Sequence, residues 1–138
     1  MSKDARLARM AHVLIHMQGN VGSVSSDVIA RMLDTNPVLV RRMMGDLRNA
    51  GIVRSELGPR GGWHLVRKLD EITLLDVHNA FETATIFSIG LPNRITECRV
   101  EGAADGAVRR ALSAADGAFR ESLASCTLAQ ILSASGVA

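Results

Sequence analysis

The chain has 138 residues, a formal net charge of +2, and 47% hydrophobic and 22% charged residues, which fits one compact domain with an extension and excludes a disordered or fibrous chain. The apolar run near the N-terminus is broken by Arg9, His12 and His16, so neither a signal peptide nor a membrane span fits and the chain reads as cytoplasmic. Cys98 and Cys126 do not make a disulfide scaffold and cannot alone supply the four ligands of a structural zinc site.

From Ala5 to Met17, Leu7, Met10, Val13, Leu14 and Met17 recur at three- and four-residue steps and predict a first helix, stopped at Gln18-Gly19-Asn20. Ser25-Ser26-Asp27 offers a capping hydroxyl and a first-turn carboxylate for a short second helix with Val28, Ile29, Met32 and Leu33 as its apolar face. Asp34-Thr35-Asn36-Pro37 ends that helix and starts another, Asn36 as cap and Pro37 in the first turn, where no amide hydrogen is needed. The third helix carries Val40, Met43, Met44 and Leu47 on its core face and ends at Ala50-Gly51. Residues 52–57 and 63–66 predict two short strands joined by the turn-rich Gly58-Pro59-Arg60-Gly61-Gly62.

Beyond Asp70, Thr73 with Asp76 predicts a capping box opening a helix through Phe81. A loop containing Gly90, Pro92 and Asn93 follows. An Ala-rich helix over roughly 103–124 comes next, with Val108, Ala111, Leu112, Ala115, Phe119 and Leu123 on one side. Thr127 with Gln130 caps a last short helix.

Two short helices joined by a tight turn and followed by a hairpin predict a winged helix-turn-helix, the third helix being the recognition helix. The fold expected is mainly α with a small β-hairpin: a winged domain over 1–68, a connecting helix and sensor loop over 69–102, and a long dimerisation helix with the terminal short helix over 103–138. Charge supports this division, because residues 1–68 hold eleven Lys/Arg against five Asp/Glu, or +6, and residues 69–138 hold five against nine, or −4. Such asymmetry suits a first half that meets a polyanion.

At about 100° per residue, the face of the third helix opposite its core presents Val38, Arg41, Arg42, Gly45 and Asn49. An arginine there reaches a guanine edge or a phosphate. Gly45 reads either as close approach to a DNA backbone or as a tolerated helix glycine. Arg60, at the wing tip, is placed to enter a minor groove or rest on phosphates, whereas Trp63 is better read as an anchor of the hairpin to the core. The candidate DNA-binding set is Ser26, Asn36, Val38, Arg41, Arg42, Arg48 and Arg60.

In order and spacing, Ser26-Asp27-Val28-Ile29-Ala30, residues 36–42, Ala50-Gly51-Ile52-Val53, Gly58-Pro59-Arg60-Gly61-Gly62-Trp63, residues 72–77 and Thr127-Leu128-Ala129 resemble the Rrf2 regulators. The cysteine pattern is closer to their cluster-free branch. The resemblance implies dimeric repressors or activators whose long C-terminal helix pairs across a two-fold axis, with double-stranded DNA as partner. Iron–sulfur members carry three cysteines in the loop before the long helix, where this chain has only Cys98, so no cofactor is expected. Some cluster-binding relatives also carry a Glu where Val40 falls and a basic residue where Leu57 falls.

Cys98, flanked by Arg94 and Arg99, is the candidate sensor, read either as a redox-reactive thiol or as an ordinary cysteine. The function expected is a sequence-specific DNA-binding regulator, repression favoured over activation, answering a redox or small-molecule signal. The rival is a winged-helix protein-interaction module without DNA binding. An enzyme using Cys98 with His64 or His78 lacks a nucleophile–base motif, and neither a catalytic nor a metal site is expected.

Overall fold

The computed structural model describes residues 3–19, 22–59, 61–81 and 97–137. In chain order it contains α1 (Lys3–Gln18), α2 (Ser26–Leu33), α3 (Pro37–Asn49), β1 (Val53–Glu56), β2 (Gly62–Leu65), a 3₁₀ turn (Leu69–Glu71), α4 (Leu74–Phe81), α5 (Arg99–Ala124) and α6 (Leu128–Ala134). The expected mainly helical architecture with one hairpin is what forms.

The predicted stripe of α1 lies inside, with Met10, Val13, Leu14 and Met17 all buried. Burying one such side chain contributes roughly 1.5–3 kcal/mol relative to leaving it in water. The second helix departs from its predicted face: Ile29, Ala30 and Leu33 are buried, while Val28 and Met32 are 38% and 37% exposed. An eight-residue helix makes barely two turns, so its apolar pattern fits more than one phase, and packing against α1 and α3 chooses the one containing Ala30. Ser25 Oγ accepts the Val28 amide at 3.2 Å. Asp34, at φ 51, makes the left-handed turn out of α2, a conformation that a short polar side chain tolerates. The Arg9 guanidinium donates to the Leu33 carbonyl at 2.8 Å, satisfying a helix-end acceptor.

The hairpin is antiparallel, with Val53 opposite Leu65 and Ser55 opposite Trp63. It is tied to the domain on two sides. The Ile52 amide donates to the Leu47 carbonyl of α3 at 3.0 Å, and Val24 exchanges two backbone hydrogen bonds with Trp63, at 2.8 and 3.0 Å. Glycine is required at the end of the wing turn: a Cβ on Gly61 would sit 2.2 Å from the Glu56 carbonyl oxygen, and one on Gly62 2.6 Å from that of Val24.

Both predicted capping boxes form. Thr73 N donates to Asp76 Oδ2 at 2.9 Å and Asp76 N to Thr73 Oγ1 at 3.1 Å; Thr127 and Gln130 repeat the exchange at 2.8 and 3.2 Å. The two boxes lie side by side, because Leu74 N donates to the Cys126 carbonyl and Leu128 N to the Ile72 carbonyl, each at 2.9 Å. This stitch brings α6 back onto α1, and Leu128 is fully buried in the same core as Met10 and Leu14.

The long helix begins at Arg99, four residues before its expected start, so the boundary drawn between residues 102 and 103 falls inside it. Its 26 residues extend about 39 Å. Leu123 is its one buried residue; Leu112 and Phe119 are half-buried, and Ala111 and Ala115 are exposed. Against α4 it is fixed by Arg120, whose Nη1 donates to Asn79 Oδ1 at 2.9 Å while its Nε meets Asp116 Oδ2 at 3.0 Å, and by the His78 and Phe119 rings, edge to face with centroids 6.2 Å apart. Among the described residues, no helix is long and apolar enough to cross a membrane.

Candidate nucleic-acid interface

The recognition-helix candidate is built from both ends. Asn36 Oδ1 accepts the Leu39 amide at 2.9 Å and Pro37 opens the helix, an arrangement that contributes about 1 kcal/mol of helix stability. Its core face is the predicted one, Val40, Met43, Met44 and Leu47. The helix can therefore turn only one way, and Val38, Arg41, Arg42, Arg48 and Asn49 are left exposed on the other side. Among the described residues, none of these three arginines has an ion-pair partner within 4.0 Å, so a cationic ridge stands free along a 13-residue helix.

Gly45 sits on this ridge, and a methyl group there would meet nothing within 4 Å. Gly45→Ala is accordingly expected to raise stability by about 1 kcal/mol through helix propensity, read from urea unfolding. A simultaneous loss of DNA affinity identifies close approach to the DNA backbone; unchanged affinity identifies a tolerated glycine.

Ser26 is half-buried, and its Oγ accepts the Trp63 indole N–H at 3.0 Å. It thereby joins the start of α2 to the wing. Trp63 itself is 7% exposed, the packing of an anchor rather than of a base-stacking surface. Asn36 is exposed, with its carbonyl oxygen committed to the cap. Arg60 lies outside the described residues, as does Arg94 beside the candidate sensor. The remaining DNA-binding candidates, Val38, Arg41, Arg42 and Arg48, share α3.

Sequence reading passed over Arg31 and Arg54, both exposed. In β1 only Val53 is buried, so the signal available for Arg54 was its charge on a wing strand. The pairing of His64 Nε2 with Glu56 Oε2 across the hairpin, at 2.6 Å, places that imidazole in the wing, remote from Cys98 in the chain.

Cys98 is exposed at the N-cap position of α5, and Cys126 follows the other end of the same helix. The two cysteines of one chain are separated by the 26 residues of α5, about 39 Å of helix axis, and the chain has no third cysteine. The thiols of one chain therefore do not fit an iron–sulfur cluster.

A family model, Rrf2, described as "Iron-dependent Transcriptional regulator", matches residues 1–134. Two proteins of Bacillus subtilis (strain 168) that carry HTH-type transcriptional regulator names are similar to the chain. YwnA is 37% identical over 79 residues, covering 57% of this chain and 58% of YwnA; YwgB is 37% identical over 60 residues, covering 44% and 38%. The matched segments thus span well under two thirds of either relative. A crystal structure of a transcriptional regulator from Lactobacillus plantarum superposes with a TM-score of 0.82 at 20% identity, covering 96% of this chain and 89% of that one, a likeness of fold.

Proposed function

The chain belongs to the Rrf2 family of transcriptional regulators, and from that premise we propose that it is a sequence-specific DNA-binding regulator acting in the cytoplasm as a homodimer. The observation that carries the reading is the ridge of Val38, Arg41, Arg42 and Arg48 on α3, whose opposite face is locked into the core. A recognition helix so oriented presents its N-terminal half to a major groove, and the first half's net +6 supplies the sequence-independent attraction.

Dimerisation is supported by α5, a 26-residue helix with Leu123 as its single buried residue. Helices of this length draw their stability from an apolar partner rather than from propensity. Val108, Ala111, Leu112 and Ala115 supply a narrow face of small and apolar side chains on which a second copy can pack. Two-fold pairing would set the recognition helices about 34–36 Å apart on successive major-groove faces of a palindromic site. Cys98, exposed at the start of that helix, is the residue at which an oxidant would reach the dimer.

The test is selection of bound DNA from a random pool, with the oligomeric state followed by sedimentation and the selection repeated after mild oxidation. A partly palindromic site occupied by two chains is expected, with oxidation weakening binding by the wild type and not by Cys98→Ser. Enrichment of no sequence contradicts DNA recognition, and a chain monomeric at micromolar concentration contradicts the dimer. An equal response of wild type and Cys98→Ser removes the thiol while leaving the regulator.

A further inference from the structure

Away from the cationic ridge, the described surface holds a close pair of imidazoles. His12 and His16 stand one turn apart on α1, their ring centroids 4.5 Å apart and their planes at 83°, and both are exposed. Both line the mouth of a groove of about 640 Å³ between α1, α4 and α6, walled by Ala8, Ala11, Ile15, Leu74, Ile131 and Leu132. Two histidines spaced i and i+4 on one helix face can bring two imidazole nitrogens to a single ion.

The metal-binding form of histidine is the neutral ring. The rings now meet edge to face, so convergence on one ion requires one of them to turn about its Cβ–Cγ bond, a motion that exposure on the groove rim permits. Among the described residues, no third imidazole, thiol or carboxylate joins them as a ligand cluster. The other coordination positions of an ion held there would face the groove and water.

We propose that His12 and His16 form a two-imidazole chelate for a late first-row divalent ion. Imidazole donors suit Zn²⁺, Ni²⁺ and Cu²⁺, and the usual affinity order places Cu²⁺ first. The proposed ligands include no residue of the DNA-facing ridge and no cysteine, so the site stands or falls separately from the proposed function.

The experiment is calorimetric titration of the metal-free full chain with Cu²⁺, Ni²⁺ and Zn²⁺ chloride, run on the wild type, Cys98→Ser, His12→Ala, His16→Ala and the double histidine variant. One ion per chain is expected in the wild type and in Cys98→Ser, with Cu²⁺ bound most tightly. Each single histidine variant should bind about tenfold more weakly or worse, and the double variant should show no binding heat at this site. Added metal should raise the thermal midpoint of the wild type, because it binds the folded chain, and leave that of the double variant unmoved. The metal-free midpoints establish that the variants fold. Equal affinity in the double variant, or no saturable binding and no midpoint shift in the wild type, overturns the assignment.

Discussion

Replacing Arg41 and Arg42 together by alanine should reduce affinity for the selected DNA by two orders of magnitude or more while leaving the fold intact. Both side chains are exposed on α3, so their removal costs the core nothing and the thermal midpoint should stay close to that of the wild type. Each good bidentate contact to a base edge is worth about 1–3 kcal/mol, roughly 5- to 150-fold in affinity, and a phosphate contact contributes through counterion release. The single variants separate the two roles. The arginine that reads a base should lose discrimination at one position of the site. The arginine that holds a phosphate should weaken binding to all sequences alike and lower the salt slope by about 1. Fluorescence anisotropy at fixed salt checks the expectation; a double variant within twofold of the wild type would remove α3 from the interface.

The second large effect concerns the wing. Trp63 is 7% exposed, exchanges backbone bonds with Val24 and donates its indole N–H to Ser26 at 3.0 Å. Trp63→Ala removes the largest side chain joining hairpin and helices, and such truncations cost about 3–5 kcal/mol. That is a substantial part of the 5–15 kcal/mol typical of a whole domain, so a lower urea midpoint and a loosened wing are expected. Trp63→Phe keeps most of the buried area and deletes the donor, so its cost should be nearer 1 kcal/mol. If Trp63→Ala costs less than 1 kcal/mol, the hairpin is held by something other than this anchor.

The parts of the molecule legible in the sequence are those decided by neighbouring residues. Capping is chemistry within four positions, and Ser25, Asn36-Pro37, Thr73 with Asp76 and Thr127 with Gln130 all cap where their types and spacing place them. The ridge of α3 was legible for a related reason: thirteen residues complete more than three turns, enough for Val40, Met43, Met44 and Leu47 to fix the phase. The eight residues of α2 do not, so Val28 and Met32 were assigned inward and lie outward.

The start of α5 was hidden by composition. The alanine run suggests a beginning near 103, yet Gly102 already donates to the Cys98 carbonyl at 3.0 Å as the helix opens. Long-range pairings carry no local signature. The bridge from Val24 to Trp63 and that from Thr73 to Thr127 exist because packing brings distant backbones together, and with them come the Trp63–Ser26 hydrogen bond and the return of α6 to the core. His12 and His16 were visible only as interruptions of an apolar stripe; the groove that gives their spacing a use is tertiary.

Recognition of DNA by a dimer through α3 can be measured by titrating the selected duplex with the full chain from about 50 to 200 mM salt. Several phosphates neutralised by arginine and lysine require log affinity to fall linearly with log salt, at a slope of about −0.9 per phosphate neutralised. Saturable binding of two chains per site is expected, with a steep slope and a shallower one in Arg41→Ala or Arg42→Ala. Binding that is absent, or that does not respond to salt, would contradict recognition through α3.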